Sequence, residues 1–308
     1  MKNLHLTLLA LMLSLFAWSS MTLAAESKEL YKPFILAGYE QGTIGDVSKK
    51  VSDKLIKAGF EIVGEYSPYP DAHIIVITNS DIKATAAKSP MGAFGAGQRV
   101  TLTKADGKIQ VSYTNPVYIS NVYRMSGDLS SARSALEKAL GNNSEYGPKE
   151  GLPAKELRDY QYKWLMPYFT DTLDLASYSN QKVALEKVNK FLANNKAGVS
   201  KVYEIDLPGK EESVIGVAMS GKDKDDCSGD QYIMSRIDFK KIKSTGHLPY
   251  EVVISKGKVY ALPAEFRIAI NFPDLSMMGS NSFASIMCAP DSIKYALTKA
   301  VGGSIDEF

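Results

Sequence analysis

The sequence predicts an α+β protein built from two tandem copies of one domain. Two observations predict this: segments with the apolar spacing of helices alternate with short runs rich in β-branched residues, and the order β-α-β-β-β-β-α occurs twice. Each copy also places a glycine-containing turn between two strands, Asp106-Gly107 in the first and Lys256-Gly257 in the second. A single α+β domain whose elements repeat by coincidence is the alternative.

The first copy starts with an apolar, strand-like run at residues 31–36. A helix follows between an N-cap at Asp46 and a C-cap at Gly59, because apolar residues recur there every three or four positions. A last helix is expected from Asp128 to Gly141 for the same reason. Four strands are expected between these helices, at residues 60–66, 73–78, 98–104 and 108–113.

The second copy is expected to start at residues 162–167, where Tyr-Lys-Trp-Leu-Met-Pro echoes the Tyr-Lys-Pro-Phe of residues 31–34. Apolar spacing predicts one helix over residues 180–193 and a last helix from Asp291 to Gly302. Four strands are again expected between the helices, at residues 199–205, 213–219, 250–255 and 258–262.

The chain is expected to divide into a first domain at residues 26–141, a linker at residues 142–160 and a second, divergent domain at residues 161–308. The linker is placed where glycine, asparagine, serine and proline are concentrated. Insertions at residues 220–248 and 272–288 account for the greater length of the second domain. A mature chain of about 283 residues agrees with two domains.

Residues 1–25 have the three parts of a cleavable signal peptide: a basic tip with Lys2, an apolar run over residues 4–18, and small residues up to Ala25. The apolar run is shorter than the roughly 20 residues that a membrane-spanning helix needs. We therefore expect export to the periplasm, with no stable membrane span after cleavage. An uncleaved anchor is the alternative.

The charge balance bears on the kind of partner. The full chain has 36 Lys and Arg against 34 Asp and Glu, and loss of Lys2 with the signal peptide leaves a formal charge of +1. A nucleic-acid binder would show a basic excess on one face, so we expect no nucleic-acid partner. An unknown small molecule or another periplasmic protein is the expected partner.

Cys227 and Cys288 are the two cysteines of the chain. An exported protein meets an oxidising compartment, so a disulfide between them is expected. Two unpaired thiols, one of them buried, are the alternative. The wide spacing argues against a thioredoxin-type redox motif, which needs two cysteines three positions apart.

Three segments of the first copy carry a family resemblance: residues 54–63 (Lys-Leu-Ile-Lys-Ala-Gly-Phe-Glu-Ile-Val), residues 99–102 (Arg-Val-Thr-Leu), and residues 106–116, where a tyrosine and a proline follow the hairpin turn. Through them, residues 40–125 resemble the DUF302 family, a domain of unknown function. The second copy resembles it faintly, through residues 259–263.

The resemblance implies a β-α-β(4)-α fold of the TATA-binding-protein-like class, with an antiparallel sheet covered on one face by helices. Fold alone does not determine function. DNA binding, which this architecture supports elsewhere, is disfavoured by export and by the near-neutral charge. Where the family often has Gly-Asn-Pro, this chain has Thr78-Asn79-Ser80.

Loops at one end of the two copies form the predicted binding region. The loop at residues 89–97 has three glycines, and its counterpart is the insertion at residues 220–248, so both are expected to project from the same end of their domains. The candidate binding residues are His73, Asn79, Met91, Phe94, Tyr113, Asp226 and His247.

No metal site is predicted. His73 and His247 occupy different places in the two copies, and the acidic run around Asp226 lacks the spacing of a calcium loop. The thioethers at positions 277, 278 and 287 are soft ligands that suit copper, but methionines more often pack inside a core, and packing is the favoured interpretation.

No motif of a catalytic nucleophile or metalloprotease is present, and the cofactor is unknown. A non-catalytic ligand-binding or accessory protein is therefore the leading hypothesis. An enzyme using dispersed residues near His73 or Asp226, and an envelope-assembly scaffold, are the alternatives. A deep pocket at His73 would favour catalysis, and an open apolar groove would favour binding.

Overall fold

The computed structural model describes residues 29–222 and 226–304. The predicted signal peptide lies outside these residues. Helices and antiparallel sheets are mixed along the chain, so the predicted α+β class with antiparallel sheets is confirmed. Within the two described stretches, no helix is both long enough and apolar enough to cross a membrane.

The first half of the chain contains these elements in order: β1 Leu30–Tyr31, β2 Phe34–Glu40, α1 Ile44–Lys57, β3 Glu61–Tyr66, β4 Ala72–Thr78, α2 Ser80–Lys88, a 3-10 turn Gly92–Gly95, β5 Gln98–Ala105, β6 Lys108–Thr114, α3 Pro116–Val122, α4 Ser130–Leu140 and β7 Ser144–Tyr146. Two short elements then lead to the second half, β8 Leu152–Pro153 and α5 Ala154–Arg158.

The second half contains β9 Leu173–Ser177, α6 Gln181–Ala193, a 3-10 turn Lys196–Gly198, β10 Val199–Asp206, β11 Glu212–Met219, α7 Asp230–Ile237, a 3-10 turn Thr245–His247, β12 Tyr250–Ser255, β13 Lys258–Ala261, α8 Ala264–Asn271, a 3-10 turn Phe283–Ile286 and α9 Ala289–Ala300.

The strands form a six-stranded sheet in the order β3-β4-β5-β6-β2-β7, a five-stranded sheet in the order β10-β11-β12-β13-β9, and the β1-β8 ribbon. Every pair is antiparallel. Without β7, the six-stranded sheet has the same relative order as the five-stranded sheet. In each, the strand before the first long helix, β2 or β9, lies at the end beside the second strand of the hairpin, β6 or β13.

Local sequence explains the helix starts. Thr43, rather than the expected Asp46, is the N-cap of α1, and its hydroxyl accepts a hydrogen bond from the Asp46 amide at 3.1 Å. Asn180 caps α6 in the same way, accepting from the Val183 amide at 3.0 Å. Both helices bury one apolar stripe against their sheet.

Both predicted hairpin turns are present. Asp106 and Gly107 have φ of 50° and 75°, and Lys256 and Gly257 have φ of 51° and 89°. Two consecutive positive φ values are the geometry of a type I′ turn, which matches the twist of the strands that it joins. These turns connect β5 to β6 and β12 to β13.

The strand expected at the start of the second copy is absent. Residues 162–167 contain no strand, and the first strand of that half is β9. Leu165 has a φ of 69°, which a β-strand does not allow, and the side chains of Trp164 and Leu165 are exposed. The predicted linker is also partly ordered into strands, because β7 joins the edge of the first sheet.

The two sheets meet along β3 and β10. Gly64 in β3 permits this approach, because a Cβ atom there would lie 2.3 Å from the Val202 carbonyl oxygen. Helices α1 and α4 pack together over the first sheet, and α6 and α9 pack on the second. One hydrophobic core continues through both halves.

Candidate functional site

The predicted binding loop at residues 89–97 and the end of the insertion at residues 220–248 are instead packed between the halves. The 3-10 turn Gly92–Gly95 lies against β11 and β12, and the 3-10 turn Thr245–His247 lies against β4, β5 and β6. The Thr245 hydroxyl is 2.7 Å from the Thr103 hydroxyl on β5. Each half therefore contributes one loop to the sheet of the other, which accounts for the burial of both loops.

A buried ionic cluster joins the halves beside these loops. Glu251 on β12 forms ion pairs with Arg99 on β5 and with Arg267 on α8, the second at 3.1 Å. All three side chains are at most 2% exposed. Arg267 also donates to the Tyr123 hydroxyl at 2.9 Å and to the His247 carbonyl oxygen at 2.8 Å. These bonds disperse the charge of the cluster inside the core.

His247 belongs to this buried interface. Its Nε2 atom lies 3.3 Å from the Tyr250 hydroxyl, and its ring is fully buried. Burial, together with the charges of Arg267 and Arg99, lowers the pKa of His247 well below its usual value, so the ring is neutral. A neutral, enclosed histidine is out of reach of a ligand arriving from solvent.

His73 is the second residue of β4, next to the turn of the β3-β4 hairpin, and its ring contacts two polar side chains. Its Nε2 atom is 2.8 Å from the Glu65 carboxylate, and its Nδ1 atom is 3.1 Å from the Ser67 hydroxyl. A serine, a histidine and an acid thus lie within hydrogen-bond distance, but the partners of the two ring nitrogens are exchanged relative to a hydrolytic triad, where Nε2 faces the serine and Nδ1 the acid. Glu65 and Ser67 are exposed, however, and the arrangement lines none of the five cavities found at the surface of residues 29–222 and 226–304.

The other candidate binding residues support local structure. The Asn79 side chain caps α2 by accepting from the Ile82 amide at 2.9 Å. Tyr113 is buried and donates to the Gly141 carbonyl oxygen at 2.9 Å. The Asp226 carboxylate accepts from the Ser228 amide at 2.9 Å.

Met91 and Phe94 belong to the loop buried between the halves. Met91 is half-buried with a left-handed φ of 53°, and Phe94 is enclosed among aromatic rings, with centroids 5.9 Å from Tyr260 and 6.1 Å from Tyr123. Of the seven candidates, Asp226 alone lines one of the five cavities. The structure therefore does not bring them together in a shared site.

The predicted disulfide between Cys227 and Cys288 is present. It ties the loop before α7 to the residue that precedes α9. Asp223 and Asp225, from the acidic run, lie outside the described residues. Among the residues that are described, no group of three or more His, Cys, Asp or Glu side chains is placed to hold a metal ion.

The largest of five cavities formed by the described residues is an open groove of about 910 Å³, between residues 148–163 and residues 273–277. Tyr160 and Tyr162 are fixed on one side by hydrogen bonds to the carbonyl oxygens of Ala269 and Leu275. The Tyr162 ring also packs on Phe283, with 4.9 Å between centroids. The groove is thus a preformed surface held by the segment that links the halves and by the α8-α9 connection.

Exposed apolar side chains continue from both walls of this groove. Trp164 is 83% exposed and Leu165 is 77% exposed, directly after Lys163 on one wall. Met277, on the opposite wall, is 42% exposed, and the next residue, Met278, is 76% exposed. The methionines are therefore not packed in the core, which corrects the favoured prediction from sequence.

Charged groups of both signs line the groove. Glu150, Glu156 and Asp159 face it together with Lys155 and Lys163. Lys240 forms an ion pair with Asp274 at the far side. Sequence reasoning missed this site, although the doublet Met277-Met278 within a run of serine, glycine and asparagine was a signal of exposed apolar side chains.

The chain matches no protein-family model, and comparison with curated proteins and with solved structures finds no match for it either.

Proposed function

We propose that this protein is an exported, non-catalytic accessory protein that binds a polypeptide segment of another exported protein in the groove beside Trp164. The single observation that carries the proposal is the exposure of Trp164 and Leu165, which directly follow Lys163 of the lining of the largest of the five cavities. Contiguous exposed apolar side chains with a polar rim are typical of interaction sites.

The composition of the surface favours a polypeptide over a small molecule. Tryptophan, tyrosine and methionine are enriched in the centres of protein interfaces, and tryptophan is prominent among residues that dominate binding energy. The groove has Tyr162 and Met277 on its walls, and the exposed Trp164 directly follows Lys163 of one wall. A pocket for a small molecule encloses most of its ligand, whereas this groove is open along its length.

The arrangement at His73 gives little support to the enzymatic alternative. Hydrolysis through a serine, a histidine and an acid also needs a cleft for the substrate and donors for the developing oxyanion. Glu65, Ser67 and His73 line none of the five cavities. The largest of the five cavities lies elsewhere, and exposed apolar side chains flank its charged lining.

The proposal also includes the location of the protein and the evolutionary origin of its two halves. The signal-like residues 1–25 and the disulfide support a periplasmic location. The common relative strand order supports an origin by duplication. We propose that both halves are diverged DUF302-like domains, on the strength of the residues in the first half that resemble that family.

Site-specific cross-linking tests the proposal. A photoreactive phenylalanine analogue replaces Trp164 in the full chain, expressed in its native host with its signal peptide. The same analogue at Tyr295, which is exposed at 43% away from the groove, is the control. We expect one exported protein to be cross-linked from position 164 and not from position 295.

The identified partner is then purified for a binding measurement. Trp164 is the single tryptophan left after removal of the signal peptide, so its fluorescence reports directly on the groove. We expect Leu165→Ala to weaken binding by at least tenfold and Tyr295→Ala to leave it unchanged. Equal cross-linking at both positions, or unchanged affinity in Leu165→Ala, would contradict the proposal.

A further inference from the structure

Three exposed methionines lie together on one connection of the second half. Eight methionines remain after residue 25, and five of them, at positions 91, 125, 166, 219 and 234, are buried or half-buried. Met277, Met278 and Met287 are exposed by 42%, 76% and 79%. Exposing three apolar thioethers within eleven residues has no packing benefit, so their placement calls for another explanation.

The connection that carries these methionines is held in a defined shape. The Phe283 amide donates to the Ser276 carbonyl oxygen at 2.9 Å, and the Ala284 amide donates to the Met277 carbonyl oxygen at 3.1 Å. The disulfide of Cys288 anchors its far end. We refer to residues 276–288 as the methionine loop.

The backbone of the methionine loop brings the thioethers within reach of one another. The Ala284 amide bonds the Met277 carbonyl oxygen beside a parallel bridge between Ser276 and Ser282, so the Cα atoms of Met277 and Ala284 are roughly 5–6 Å apart. Met287 follows Ala284 by three residues across the 3-10 turn, which adds about 5–6 Å. Two unbranched side chains with three rotatable bonds each can span this separation, and Met278 is adjacent to Met277.

We propose that the methionine loop binds a soft monovalent cation, Cu(I), through the Sδ atoms of Met277, Met278 and Met287. Thioethers are soft ligands that select Cu(I) over the harder divalent ions. Both cysteines are used in the disulfide, so thioethers are the soft ligands that remain available after oxidation. This site goes beyond polypeptide binding in the groove and needs no partner protein.

Competition for Cu(I) measures the affinity. The mature, disulfide-bonded chain is titrated without oxygen, with ascorbate present, against a chromophoric Cu(I) chelator. We expect one equivalent of Cu(I) to be taken from the chelator. The triple variant Met277→Leu/Met278→Leu/Met287→Leu is expected to bind at least tenfold more weakly, and Met91→Leu is the matched control with unchanged affinity. Circular dichroism verifies that each variant is folded.

Nuclear magnetic resonance identifies the ligands. With methionine methyl groups labelled and Ag(I) as a redox-inert probe, we expect three of the eight methyl signals to shift, those that disappear in the triple variant. Shifts at the buried methionines instead, or Cu(I) binding retained by the triple variant, would overturn the site. If that variant retains Cu(I) binding but loses the partner cross-linked at Trp164, the methionines contact the polypeptide rather than a metal.

Discussion

The connection between the last two helices differs sharply between the two halves. In the first half it joins α3 to α4 through residues 123–129, and its Met125 and Leu129 are buried at 2% and 5% exposure. In the second half it joins α8 to α9 through residues 272–288 and contains the exposed methionine loop. The same topological position therefore completes the core in one half and builds a surface in the other.

The difference shows which parts of each half the fold requires. The first half shows that a short connection between the last two helices is compatible with the common strand order. The extra residues of the second half add the methionine loop, one wall of the groove and the attachment of the disulfide. We infer that the first half supplies mainly stability and the second half the binding surface.

The largest expected effect tests the contact between the halves. Arg99 and Glu251 lie near the starts of the corresponding strands β5 and β12, so their ion pair joins the two halves. Glu251→Ala leaves Arg99 and Arg267 buried without their carboxylate. We expect a loss of about 3–5 kcal/mol in the free energy of unfolding, measured by urea denaturation.

Two variants serve as controls for this loss. Glu61→Ala removes an exposed ion pair with Lys83 and is expected to change stability by at most about 1 kcal/mol. Replacing Arg99, Glu251 and Arg267 together by apolar residues is expected to destabilise less than Glu251→Ala, because no unpaired charge remains. A Glu251→Ala variant as stable as Glu61→Ala would show that the halves do not depend on this cluster.

The disulfide should give the next largest effect, and it belongs to the second half alone. Cys227 and Cys288 are 61 residues apart, and removing their bond frees the unfolded chain from a long loop. We expect Cys227→Ser/Cys288→Ser to lower the free energy of unfolding by about 2–4 kcal/mol. Urea denaturation of the reduced wild type provides the matched measurement, and an unchanged stability in both would contradict the expectation.

The periodicity of apolar residues predicted the helices that have one buried face and one solvent-exposed face. Helices α1, α4, α6 and α9 were predicted within a few residues because each buries one apolar stripe. Helix α3 was missed because every one of its residues is buried, which removes the polar side of the pattern. Helix α8 was missed for a similar reason, since seven of its eight residues are buried.

The sites could be predicted less well than the fold. The disulfide was predicted from the two cysteines, which allow one pairing, and from the expectation of export. The groove depends on contacts between residues more than 100 positions apart, such as that of Tyr162 with Leu275, and no local pattern encodes these. The exchange of loops between the halves was missed for the same reason, so Phe94 and His247 looked like loop residues.

The free energy of unfolding is expected to depend on pH through Asp230, the first residue of α7. Burial raises the pKa of Asp230 to about 7, against hydrogen bonds from the Met219 amide and the Tyr66 hydroxyl that lower it. The ordinary value is about 3.9, so between about pH 4 and pH 7 the folded state keeps a proton that the unfolded state loses, and stability falls as pH rises. At about 1.4 kcal/mol per pH unit, we expect roughly 2–3 kcal/mol of loss between pH 5 and pH 7.

Asp230→Asn isolates this contribution, because it keeps an acceptor oxygen and cannot ionise. We expect the difference in stability between wild type and variant to shift in favour of the variant as pH rises from 5 to 7, measured by urea denaturation at each pH. Asp238, whose pKa burial raises to about 6, remains in both proteins and so does not alter the difference. Parallel stability curves for the two proteins would contradict the assignment.

The smallest expected effect compares the starts of α2 and α7. Asn79 caps α2 through its side chain, whereas Gly229 at the same place before α7 makes no side-chain cap. We expect Asn79→Ala to lower the free energy of unfolding by about 1 kcal/mol and Gly229→Ala by no more than that, measured by urea denaturation. If Asn79→Ala instead left stability unchanged and weakened binding of the partner identified at Trp164, Asn79 would be a binding residue after all, and the first half would contribute to function as well as to stability.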